Sequence, residues 1–236
     1  MSMDTTSPSA APVPVAATVR DTILIGGGGH AHVVADVLAA LGRPVRGFVA
    51  PTCKTVLNGI DWLGSDTVLD EVAPGSADMA LGVGSTGDSS LRRGLYEKLK
   101  GSGHGLPPLV HPSANLASDV RLGDAAQVML AAAIQAGVAV GANAIINTGA
   151  IVDHDCRIGD HVHVAPGAVL CGNVTVGDSA HVGAGARVIQ GLTIGAGALI
   201  AAGAVVVADV AAGARVAGVP AKPMAGADSS EEETGQ

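Results

Sequence analysis

Residues 146–158 read Ile146-Asn147-Thr148-Gly149-Ala150-Ile151-Val152-Asp153-His154-Asp155-Cys156-Arg157-Ile158, with a branched aliphatic at every sixth position. The same beat runs outward in both directions. It passes through Val110, Leu116, Leu122, Val128, Ile134, Val140, Ile146, Val152, Ile158, Val164, Leu170, Val176, Val182, Val188, Ile194, Ile200 and Val206 without a slip. Four residues after these aliphatics come small or apolar side chains, as in Ala114, Val120, Ala126, Ala132, Val138, Ala144, Ala150, Cys156 and Val162. Gly often follows the aliphatic directly, at Gly123, Gly141, Gly159, Gly177, Gly183 and Gly195. A period of six predicts a left-handed parallel β-helix, in which three short strands and three turns close a coil of roughly eighteen residues. The aliphatic points inward onto its equivalents above and below, and the position four later must be small to fit a tight corner. No single repeat buries a face alone, so the stack is cooperative. A β-sandwich would need period-two alternation, which is missing.

The rest of the chain fits around this solenoid. Thr22-Ile23-Leu24-Ile25 reads as a buried strand, followed by Gly26-Gly27-Gly28-Gly29 and a helical pattern with Val33, Val34, Val37, Leu38 and Leu41 on one face and Gly42 as its cap. Val45–Val49 and Asp78–Val83 read as further strands, and Ser89–Lys100 as a helix with Leu91, Leu95 and Leu99 on one face. That order predicts a small Rossmann-like α/β unit with a parallel sheet. The expected organisation is a disordered arm over 1–20, an α/β domain over 21–108, the β-helix over 109–224 and a disordered tail over 225–236. The arm lacks the basic start and apolar core of a signal peptide.

Composition agrees with narrow, repeating layers. Aromatics are 1% of the chain, so Val, Ile, Leu and Ala must fill the core beside 34 glycines. The formal charge is −8, with Glu231, Glu232 and Glu233 in the tail and no basic stripe, which argues against nucleic acid as a partner. Cys53, Cys156 and Cys171 form no Cys-x-x-Cys pair and are expected as reduced thiols, consistent with a cytoplasmic protein. Residues 125–152 carry no charge and would attract a membrane assignment. Gln135, Asn143 and Asn147 interrupt them, and the hexapeptide period accounts for their apolar content better.

Polar clusters on a solenoid are informative because the fold itself needs few. Here Asn147, Asp153, His154, Asp155, Asp160, His161, His163 and His181 gather within two coils. Positions about eighteen apart lie one above another, so His154 should stack on Gly172 and His163 on His181. A His beside a bare Gly leaves room for a thioester, with the imidazole as a base at neutral pH and an N–H donor for an oxyanion. Spacing alone leaves a second reading open, in which His154 is a solvated turn residue and Gly172 a turn glycine. A zinc reading of His161, His163 and His181, as in γ-type carbonic anhydrases, lacks the His spacing of those enzymes, so no metal is expected.

The sequence resembles the hexapeptide-repeat sugar acyltransferases of the sialic-acid O-acetyltransferase and bacillosamine-pathway N-acetyltransferase type. The resemblance spans Thr22 to Met224. It rests on Gly26-Gly27-Gly28-Gly29-His30, Leu109-Val110-His111-Pro112-Ser113-Ala114, Ile146-Asn147-Thr148 through His154-Asp155-Cys156, Cys171-Gly172-Asn173-Val174 and Gly218-Val219-Pro220-Ala221-Lys222. It implies an acetyl-CoA-dependent N-acetyltransferase acting on a nucleotide-linked amino sugar in glycan biosynthesis, working without a metal as a homotrimer with active sites between subunits. By the same resemblance His154 is the general base and Asp155 its support, in a position where the family often has Glu. His163 and the Gly172 N–H lie at the acetyl group, and Lys222 at a coenzyme A phosphate. Gly27, Gly28, Gly29, His30 and Asn147 are implied at the nucleotide sugar, which fits a glycine-rich helix start as an anion site. After the second strand stand Ala50, Pro51 and Thr52, where the family commonly has acids that contact the base, so uridine and guanosine both stay open. Sugar O-acetylation and a non-catalytic binding scaffold are the alternative functions.

Overall fold

The computed structural model describes residues 20–53, Leu57 and 59–224; the expected tail, and the expected arm up to residue 19, lie outside the described residues. Strand β1 (Thr22–Ile25) is the centre of a four-stranded parallel sheet in the order β3-β2-β1-β4, with β2 at Val45–Val49, β3 at Trp62–Gly64 and β4 at Asp78–Leu81. All four β1 residues are buried, as an uninterrupted apolar run in a parallel sheet requires. Helix α1 (Gly29–Ala40) follows the glycine loop and is closed by Gly42 at φ +62°, the left-handed position a helix end favours.

Three expectations for this half need correction. Residues 62–71, assigned to no element from sequence, form β3 and a 3₁₀ helix over Asp66–Glu71. The third predicted strand ends at Leu81, two residues early, because Gly82–Ser85 turn toward the solenoid. Helix α2 (Ser90–Gly101) does not bury the Leu91-Leu95-Leu99 face as a unit. Leu99 is buried and Leu95 partly so, whereas Leu91 is 67% exposed and Arg92 is 2% exposed. The helix packs against two bodies at once, and the second contact selects Arg92.

From Leu109–Val110 onward, two-residue strands stack into three parallel sheets. The register is eighteen residues per coil: Ile145 pairs with His163 and His163 with His181, while Val152 pairs with Leu170 and that with Val188. Val128, Ile146, Val152, Val164, Leu170, Val182, Val188, Ile194 and Ile200 are 0% exposed, as are the corner residues Ala126, Ala132, Val138, Ala144, Ala150, Cys156 and Val162. Each buried aliphatic contributes about 1.5–3 kcal/mol, so the uniform stack stabilises itself without aromatics. The last coil is two residues shorter, since Ile194 pairs with Val210 and Ile200 with Val216.

The three outer faces of the prism differ. One carries Leu109, Gln127, Ile145, His163, His181 and Leu199 outward and receives the α/β domain. There Leu109, Met129 and Ile145 join the core made by Leu24, Val34, Leu38 and Phe48. This contact explains part of the uncharged run over 125–152: Gln127, Met129 and Ile145 are buried by the neighbouring domain, whereas Leu130 and Ile151 stay exposed. A second face presents Arg121, Ala139, Arg157, Thr175 and Thr193, a solvated set. The third presents Ala133, Ile151, Val169 and Val205 with one charge, Arg187, and Ile151 is 44% exposed. Among the described residues, no helix is long and apolar enough to cross a membrane.

Candidate active site

The predicted site residues fall into two groups. The first sits on the corner between the apolar and the solvated face. His154 stands on Gly172 so closely that a Cβ at residue 172 would collide with the ring, against Nε2 and at 2.6 Å from Cε1. The space expected for a ligand beside Gly172 is therefore held by the imidazole itself. Gly172 is buried against the ring, and its N–H meets no acceptor among the described residues. His154 Nδ1 donates to Asp155 Oδ2 at 2.9 Å. The shorter acid thus reaches the imidazole, because its backbone sits at φ +60° and turns the side chain back along the corner. A carboxylate only accepts, so Nδ1 carries the proton and Nε2 is left as the basic atom. The hydrogen bond to Asp155 raises the His154 pKa above its ordinary value, with Asp153 adding to the effect. Asp153 Oδ1 accepts the His154 backbone N–H at 2.8 Å and fixes the turn.

The second group lies at the junction of the two domains. A cavity of about 400 Å³ is lined by Gly29, His30, Val33, Gly84, Ser85, Thr86 and His163. Asn147 reaches it through His163: Asn147 Oδ1 accepts the Thr148 N–H at 2.8 Å, so its amide nitrogen faces His163 Nε2 at 3.0 Å. His163 Nε2 is then an acceptor, and Nδ1–H donates to the Ser85 carbonyl at 2.8 Å. These contacts fix one neutral tautomer. His30 is fixed in the same way, since Gln127 donates its amide to the Leu81 carbonyl at 2.8 Å and turns Oε1 toward His30 Nε2 at 2.9 Å. Burial pushes both His30 and His163 down to about 4, against the stabilising bond from Gln127 in one case and with the nearby His181 in the other.

Within the glycine loop, Gly28 and Gly29 face open space, whereas a Cβ on Gly27 would meet Phe48 at 3.1 Å and Ala50 at 3.3 Å. Gly27 is there for packing against β2, and the open pair carries the approach to the helix N-terminus. Lys222 is exposed at the far end of the prism, beside an open cavity of about 380 Å³. His161 bonds Asn143 at 3.0 Å and packs edge-on to Tyr96, while His163 and His181 stand edge-on to each other at 5.0 Å. Among the described residues no three His, Cys, Asp or Glu side chains are grouped to hold a metal ion.

Sequence reasoning missed Ser85, Gln127 and Arg92. Arg92 is buried between the domains and donates to the carbonyls of Val83 (2.6 Å), Leu81 (3.2 Å) and Asn143 (3.3 Å). Burial lowers its pKa to about 9. It pins the loop that carries Ser85 onto the solenoid. A fully uncharged stretch that still contains Gln127 was the available signal, since a polar side chain on an otherwise apolar outward row needs a partner.

The two lowered histidines have a consequence for stability. Each is neutral in the folded protein down to about pH 4, while the unfolded chain protonates near 6.5. The unfolded state therefore binds protons first, and stability present above pH 6.5 is lost as the pH falls toward 4. A tenfold difference in proton affinity is about 1.4 kcal/mol, so the loss reaches several kcal/mol. Thermal unfolding at pH 5 should give a clearly lower midpoint than at pH 7.5, and His163→Asn should flatten that dependence. A midpoint independent of pH over this range would refute the buried, neutral state of both rings.

A family model described as the PglD N-terminal domain matches residues 21–99. No curated protein matches the chain. Among solved structures, a variant of perosamine N-acetyltransferase from Caulobacter crescentus with CoA and GDP-perosamine is 40% identical, with a TM-score of 0.81, covering 89% of this chain and 99% of that one. The acetyltransferase domain of PglB from Neisseria gonorrhoeae with acetyl coenzyme A is 38% identical, with a TM-score of 0.83, covering 87% and 99%. WeeI from Acinetobacter baumannii is 26% identical, with a TM-score of 0.79, covering 87% and 100%. Identity of 38–40% over 87–89% of the chain, together with the glycine loop, the hexapeptide period and the paired histidine and acid, places the chain in the hexapeptide-repeat sugar N-acetyltransferase family, and it is an acyltransferase.

Proposed function

We propose that the protein transfers an acetyl group from acetyl-CoA to the amine of a nucleotide-linked amino sugar, with residues 21–108 receiving the nucleotide sugar and 109–224 the acyl-CoA. The observation that carries this is the His154–Asp155 pair seated on Gly172, with Nε2 free and an amide without an acceptor beside it. His154 Nε2 takes the proton from the sugar amine as its nitrogen bonds to the thioester carbonyl carbon. The Gly172 N–H donates to the oxygen on which charge develops, the carbon–sulfur bond breaks, and the coenzyme leaves as its thiol by taking up the proton that His154 accepted. Lys222 is assigned to a phosphate of the coenzyme. Gly28, Gly29, His30 and Asn147 are assigned to the sugar nucleotide, with Gly27 shaping the loop. Both co-substrates and the reduced cysteines point to the cytosol.

We further propose a homotrimer. A single chain keeps the His154 corner and the His163 cavity on different edges of the prism, with the apolar face of Ile151 between them. Assembly through that face covers it and brings the His154 corner of one subunit beside the Asn147 and His163 edge of the next. Cyclic three-fold closure satisfies every copy in the same way.

The test is a purified assay with acetyl-CoA and a panel of UDP- and GDP-linked amino sugars, read by thiol release and mass gain on the sugar. Trp62, the chain's one tryptophan, reports on the base. It is 42% exposed and donates its indole N–H to the Ala50 carbonyl at 3.0 Å, at the end of β2. Titration with the correct nucleotide should change its emission, and the wrong base should leave it flat. Binding of nucleotide sugars with no acetyl transfer to any of them would favour the scaffold reading, and transfer to a hydroxyl alone would favour O-acetylation.

A further inference from the structure

The corner below the histidine and acid pair contains a glycine that the reaction does not touch. Gly137 lies one coil beneath Asp155, at φ +76°, and a Cβ there would stand 2.6 Å from Asp155 Oδ1. Conformation alone does not demand glycine at this turn. Ala125 and Ala131 occupy the equivalent turn position on the other two corners of the prism at φ +56°, so the solenoid tolerates a Cβ in left-handed backbone. What a Cβ at residue 137 would meet is the carboxylate.

That carboxylate also behaves unlike other acids on the corners. Asp119 accepts the Gly137 N–H at 2.9 Å, Asp160 the Ala142 N–H at 2.7 Å and Asp178 the Asp160 N–H at 2.9 Å. These acids satisfy backbone donors of an adjacent coil and so serve the fold. Asp155 accepts no such backbone bond from a neighbouring coil and gives Oδ2 to His154. We infer that Gly137 is a positioning residue for the acetyl transfer, acting through Asp155: the missing side chain lets the carboxylate lie back on the lower coil and hold His154 Nδ1. The inference rests on the reading of His154 as the base.

The neighbours of the imidazole are few. Asp153 and Asp155 are on its own coil, Cys171, Gly172 and Asn173 on the coil above, and Ala136 and Gly137 on the coil below, with Asp119 behind them. Asp155 is 68% exposed in its side chain, so it can swing away from a new Cβ at little cost in stability. Function and stability therefore separate in the experiment. Gly137→Ala is compared with Gly203→Ala, at φ +69° with no atom near its Cβ, which carries the backbone strain alone.

Both variants should unfold at similar temperatures. Gly137→Ala should lower kcat about tenfold, a part of the usual general-base contribution of ~10²–10⁴. Its acid limb of kcat against pH should move to lower pH, because His154 loses the acceptor that raises its pKa. Asp155→Asn should move the limb in the same direction, and Gly137→Ala should add nothing to it. The longer acid of Asp155→Glu, combined with Gly137→Ala, should restore the limb and keeps the idea testable if the single variant folds poorly. An acid limb of Gly137→Ala that superimposes on that of Gly203→Ala, while His154→Ala is inactive, overturns this inference alone. A fully active His154→Ala overturns the reading beneath it.

Discussion

Replacing His154 by Ala is expected to reduce kcat by ~10²–10⁴ while leaving acetyl-CoA affinity close to wild type. The ring is exposed and packs on a glycine, so removing it opens no cavity in the core and should not lower the thermal midpoint. No neighbour described on that corner is placed to replace it: Asp153 is held by the His154 backbone N–H, Asp155 by the ring itself, and Cys171 is a thiol at the edge of the prism. The measurement is steady-state kinetics beside calorimetric titration of acetyl-CoA. A variant that keeps more than about half of wild-type kcat removes His154 from the chemistry, since loss of a general base is never that mild.

The second large effect is expected in mixed oligomers. His154→Ala and His30→Ala damage the two groups that one chain cannot bring together, so each variant alone should be nearly inactive. If sites form between neighbouring copies, random mixing gives about one quarter of the sites an intact His154 from one subunit and an intact His30 from the next. Co-refolded mixtures should then recover about a quarter of wild-type turnover. Light scattering on the same samples should give about three times the 22.9 kDa chain mass. No recovery in a mixture shown to exchange subunits would place each site within a single chain.

The period-six aliphatics made the solenoid legible because each repeat solves the same local problem, and Val152 or Val182 needs no knowledge of distant sequence to be placed inward. The stacking of His154 on Gly172 and of His163 on His181 followed from the same arithmetic. Legibility stopped where two bodies meet. Leu91 fits a helical face and is exposed, while Arg92 is buried, because the surface that selects it belongs to coils fifty residues later at Asn143. Ser85 and Gln127 were missed for that reason: one is a loop serine and the other a strand glutamine until the domains dock. Trp62–Gly64 was missed because a three-residue edge strand has too few positions to display a period. Asp155 hydrogen-bonds His154 from a left-handed backbone position that sequence alone does not announce.

The coil register turns chain length into a ruler with discrete marks. Each coil of roughly eighteen residues advances the prism by about 4.8 Å, the spacing of paired strands. An insertion of eighteen residues beyond His181 would lengthen the prism by one mark and leave every upstream contact in place. An insertion of six would turn everything after it by a third of a revolution. Downstream members such as Leu199 would then leave the row that meets the α/β domain, and a lysine at the far end would point along another edge. Lineages of this fold can thus drift in length only by whole coils, or near the ends, where the two-residue shortening between Ile194 and Val210 occurs. The His154 corner, with two coils before it and three after, is fenced by geometry against insertions that are not whole coils.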